Sequence, residues 1–88
     1  RNGEREVKKL RQLEIELDEA MIRLEDCDGM DPFEVLSMFA QAMDQSFEEI
    51  LENDYFLQLV HITQSNSEET LTILHRIVNL YSQIAEIS

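Results

Sequence analysis

Apolar side chains crowd the stretch from Glu68 to Ile87, at Leu71, Ile73, Leu74, Ile77, Val78, Leu80, Tyr81, Ile84, Ala85 and Ile87, and no glycine or proline interrupts them. Placed on a helix, they resolve into two neighbouring stripes. Leu71, Leu74, Val78, Tyr81 and Ala85 form one, and Ile73, Ile77, Leu80, Ile84 and Ile87 form the other. Thr72, His75, Asn79, Ser82, Gln83 and Glu86 keep a polar arc of roughly 120°. A helix apolar around so much of its circumference needs cover on more than one side. The expectation is that the rest of the chain supplies part of it and a second chain supplies more.

The opening of the chain predicts a helix over 5–26 with a heptad seam. Leu10, Leu17 and Leu24 fall seven apart, and Leu13, Ala20 and Cys27 follow each by three, the a and d spacing of paired helices. The seam is short, so it suits a bundle helix as well as a coiled coil. Ile15 and Ile22 stand seven apart on the far side, where a simple hairpin would carry polar residues. With the doubled seam of the last helix, they predict a second contact surface.

Boundaries between elements are written in capping chemistry. Gly29 suits a turn, Asp31 can cap the next helix, Pro32 fits its first position and Glu34 can reach back to the cap. Met30 is placed to staple onto Val35. A second helix is predicted over 32–52, with Leu36, Phe39, Ala40, Met43, Phe47, Ile50 and Leu51 along one side; Met38 and Met43, beside Phe39 and Phe47, are expected in the core. Asp54 is the expected cap of a short helix over 55–64. The aromatic and β-branched run there also fits a strand, which would lack a partner within the chain. Ser65 with Glu68, or Asn66 with Glu69, offers a capping box for a last helix over 68–87. The sum is an all-α fold, a compact bundle of three long helices and one short one, completed by dimerisation. It makes a single domain over 1–88. The charged opening and the absence of an initiator Met read as a segment of a longer protein.

Charge narrows the functions. The net charge is -12, yet residues 1–23 hold six basic and six acidic side chains, and beyond Leu24 thirteen acidic residues meet only Arg76. Such a body repels phosphate backbones and anionic lipid, so neither nucleic acid nor membrane is an expected partner. It suits a solvated surface that keeps the domain soluble and, as the sharper reading, a docking face for a basic partner. No apolar run is long enough to span a bilayer. One cysteine, Cys27, and no N-glycosylation acceptor fit an intracellular setting, cytoplasm or nucleus.

Nothing in the chain composes a reaction centre. Asp26, Asp28, Asp31 and Glu34 surround Gly29, but setting Gly29 sixth in a calcium loop puts Leu24 first and Val35 twelfth, where oxygen ligands are needed. His61 and His75 lie in different elements without the tight ligand spacing of a zinc site. His61 is expected to be partly buried and hydrogen-bonded, His75 exposed. No Cys neighbours either histidine in sequence, Cys27 lies in an acidic stretch that disfavours its thiolate, and no glycine-rich phosphate loop exists. Enzyme activity, metal and cofactor are therefore not expected.

The segment from Val7 to Glu14, Val-Lys-Lys-Leu-Arg-Gln-Leu-Glu, resembles the opening of BAG-type three-helix co-chaperone domains. The resemblance implies basic residues in the last helix, where this chain has Arg76 alone, so it departs from that family where the family's binding is carried. The expected function is a non-enzymatic interaction module that homodimerises, with Leu10, Ile15, Leu17, Ile22, Leu24, Ile73, Ile77, Leu80, Ile84 and Ile87 as the self-association surface. The alternative is an acidic adaptor for a basic amphipathic helix or basic protein.

Overall fold

The computed structural model describes residues 2–87, with the side chain of Asn2 excepted. Among them are five helices and no strand: α1 (Asn2–Glu25), α2 (Pro32–Met43), α3 (Phe47–Leu51), α4 (Asp54–Thr63) and α5 (Ser67–Ile87). The all-α expectation holds.

Helix α5 is the centre of the molecule. One long partner, α1, lies antiparallel along it, with the Arg76 guanidinium reaching Glu16 at 3.3 Å and Ser65, just before α5, reaching Asp28, just after α1. The shorter helices α2, α3 and α4 pack against α5 and against one another. This arrangement accounts for both apolar stripes. Ile73 lies beside Ala20 of α1, whereas Val78 lies beside Leu51 of α3 and Tyr81 stacks on Phe33 of α2 at 6.0 Å. Ile73, Leu74, Ile77, Val78 and Leu80 are all buried. A helix inserted between two partners of its own chain needs two seams, so the cover assigned in expectation to a second molecule comes here from α1.

The predicted second helix divides in two, which leaves two long helices rather than three. Asp44 enters the left-handed region at φ 53°, ψ 49°, and its N–H turns back to the carbonyls of Ala40 and Gln41. Aspartate tolerates this conformation better than most residues. Ser46 then opens α3 with a full capping box: its Oγ accepts from the Glu49 N–H at 3.2 Å, while its own N–H donates to Glu49 Oε1 at 3.3 Å. Phe33 bridges the break, meeting Phe47 edge-on at 5.8 Å and Tyr81 on its other side. The redirection also leaves Met38 and Met43 largely exposed, a correction to their expected place in the core.

Other boundaries follow their caps closely. Asp31 accepts from the N–H groups of Phe33 and Glu34 at the start of α2. Residues 54–63 are helical rather than extended, and Asn53, one residue ahead of the expected Asp54, is the cap, accepting from Phe56 N–H at 3.1 Å. Phe56 and Val60 anchor α4 in the core, with Phe56 edge-on to Phe39. Of the two pairs offered to α5, Asn66 and Glu69 meet: Asn66 Oδ1 accepts from the Glu69 N–H at 3.3 Å and its side-chain amide donates to Glu69 Oε2 at 3.1 Å, a cap without the return bond to the backbone that a full box has. Gly29 has φ +98°, and a Cβ there would collide with the Thr63 carbonyl oxygen, so the turn after α1 needs glycine for both conformation and space.

Candidate interaction surface

The ten residues expected at a self-association surface separate into three groups. Leu24, Ile73, Ile77 and Leu80 are core, each 4% exposed or less, and cannot meet another chain while this fold is intact. Leu10, Leu17, Ile84 and Ile87 are half-buried, the last three packed against that core. Ile15 and Ile22 stay more than half exposed, at 52% and 59%.

Helix geometry explains the last pair. On α1 the buried positions Leu13, Ala20 and Leu24 define the inner side, and Ile15 and Ile22 point about 180° away from it. Both are therefore turned from α5 to solvent. Lys8 and Arg11 flank this outer face in the first half of α1, and Asp18, Glu19 and Glu25 flank it in the second. The outer face is thus apolar at intervals, with Glu4, Lys8 and Arg11 along its first half and acidic side chains along its second.

A shallow groove of about 470 Å³ runs between α3 and α5. Leu51 and Val78 form its floor and Glu48, Glu52 and Glu86 its rim, with His75 also on the lining, exposed as expected. Glu48 is held by the Ser82 hydroxyl at 3.0 Å. His61, expected to be partly buried, is exposed instead; its Nδ1 lies 2.5 Å from Ser67 Oγ, which joins the last turn of α4 to the first of α5. Cys27 is half-buried, with its sulfur near the Arg23 carbonyl. Around Gly29, Asp31 is occupied as a cap and Asp28 meets Ser65. Among the described residues no group of three or more His, Cys, Asp or Glu side chains is placed to hold a metal ion.

One exposed surface has no counterpart in the sequence reading. Tyr55 and Ile62 of α4 are 75% and 81% exposed. Apolar residues fill nearly every position from Tyr55 to Ile62, so periodicity could not say which of them face outward; the burial of Phe56 and Val60 in the core settles it. No helix among the described residues is long and apolar enough to cross a membrane. No protein-family model, curated protein or solved structure matches the chain.

Proposed function

We propose that the chain is a non-enzymatic interaction module that pairs with a second copy of itself through the outer face of α1. The observation that carries this reading is the placement of Ile15 and Ile22 opposite the buried side of α1, exposed and seven residues apart. Charge chooses the direction of pairing. In an antiparallel pair, Arg11 of each copy comes level with Glu25 and Asp26 of the other, while Asp18 and Glu19 meet their counterparts at the two-fold axis; a parallel pair would set like against like along its whole length. A two-fold arrangement of this kind lets one face serve both partners.

The apolar surface offered is small beside the roughly 800 Å² per partner of a standard interface, so the dimer is expected to be reversible and concentration-dependent. Sedimentation velocity across a wide dilution series tests it. The expected result is a species of twice the 10.3 kDa chain mass at high concentration, weakened by added salt as exposed ion pairs are screened. A folded monomer at all concentrations would overturn the reading.

A further inference from the structure

The outward side of α4 is a second surface, independent of α1. Tyr55, Leu59 and Ile62 recur at i, i+4 and i+7 and so share one side of the helix. Leu59 packs against the core, while Tyr55 and Ile62 stand in solvent on either side of it. The fold does not depend on these two, because Phe56 and Val60 hold α4 in place from another side, roughly 120 to 140° around the helix. The strip they form is about 10 Å long, two turns of helix.

Its surroundings carry one sign of charge. Glu52 and Asp54 stand at the N-terminal end of α4; past its C-terminal end, Asp28 lies 3.5 Å from Ser65 Oγ. That second end also presents the negative pole of the helix. No Lys or Arg occurs between Leu24 and Arg76, and Arg76 is turned to Glu16 on α1. We infer that this face receives an amphipathic helix of another protein, with a two-turn apolar stripe and Lys or Arg beyond each end. The charge pattern decides against the other occupants. Phosphate and anionic headgroups are repelled, and a second copy would bring the acidic part of its chain beyond Leu24 against this face, its basic residues lying on α1, whose outer face the proposed pairing already covers.

The test uses two labelled helical peptides. One has Leu at i, i+4 and i+7 with Lys beyond each end; its twin has Glu for Lys. Fluorescence anisotropy with the full chain should show saturable binding of the Lys peptide, loosened by salt, and none of the Glu peptide. The Tyr55→Ser/Ile62→Ser variant should keep its melting curve and lose about tenfold or more in affinity, as central exposed anchors do. The Ile15→Glu/Ile22→Glu variant should bind the Lys peptide as the unaltered chain does, which separates this site from dimerisation through α1. Equal binding by the Tyr55/Ile62 variant, or no saturable binding by the folded chain, would overturn the inference. So would a fall in molecular mass in that variant, which would make a second copy the occupant.

Discussion

The side-chain amide of Gln64 donates to the Met30 carbonyl oxygen at 2.7 Å, across thirty-four positions of sequence. Its own oxygen accepts from Thr70 Oγ1 at 3.3 Å, and both side chains are buried. One amide therefore joins the turn after α1 to the turn before α5. Replacing it removes both bonds, each worth about 0.5 to 1.5 kcal/mol net. Thr70 suffers less, since its single hydroxyl proton is shared with the Asn66 carbonyl at 3.0 Å and keeps that acceptor. Gln64→Leu is expected to lower Tm by several degrees in thermal circular dichroism, and Thr70→Val by less.

Two positions with positive φ should respond in opposite directions to substitution. Gly29→Ala forces an L residue to φ +98° and drives its Cβ into the Thr63 carbonyl, so a loss above about 1 kcal/mol is expected. At Asp44 the conformation is already left-handed, and the carboxylate sits at the negative end of α2. Asp44→Gly relieves both and should raise stability by up to about 1 kcal/mol, offset in part by the freer unfolded chain. Urea unfolding of the two variants checks the signs.

Much of this architecture is legible in the sequence because it is written locally. The Asp31–Pro32–Glu34 signature and the Asn66/Glu69 pair state where α2 and α5 begin, and the two stripes of α5 state that it needs two partners. The identity of those partners is not local. Periodicity cannot distinguish a seam covered by α1 of the same chain from one covered by a second molecule, so Ile73, Ile77 and Leu80 read as interface and fold as core. The split of the second helix had a signal, the Ser46/Glu49 box, but the continuous apolar pattern from Leu36 to Leu51 masks it. The α4 surface had none, because Tyr55 to Ile62 is apolar in nearly every direction.

The ion pair between Arg76 and Glu16 spans α5 and α1 at 3.3 Å, yet the two side chains are 51% and 33% exposed. Water and salt screen such a pair, and its expected contribution is about 0 to 1 kcal/mol. Arg76→Gln should therefore shift the urea midpoint only slightly. A double-mutant cycle with Glu16→Gln should give a coupling energy below about 1 kcal/mol, falling further in high salt.

Core and outer face can be told apart by how they fail. Ile77 is fully buried, so Ile77→Ala should cost about 2 to 5 kcal/mol, a large fraction of the stability of so small a domain. Ile73→Glu/Leu80→Glu places two carboxylates in the seam between α5 and α1 and should abolish the cooperative melt altogether, leaving no folded monomer to weigh. Ile15→Glu/Ile22→Glu changes side chains that are already in solvent. Its melting curve, recorded at a concentration where the unaltered chain is monomeric, should move little, while sedimentation should show the mass falling to 10.3 kDa at every concentration. The reverse pattern, with folded monomers from the α5 variant and an unchanged dimer from the α1 variant, would return the interface to α5. It would also require α1 to leave α5 when two chains meet, since the same isoleucines cannot face both.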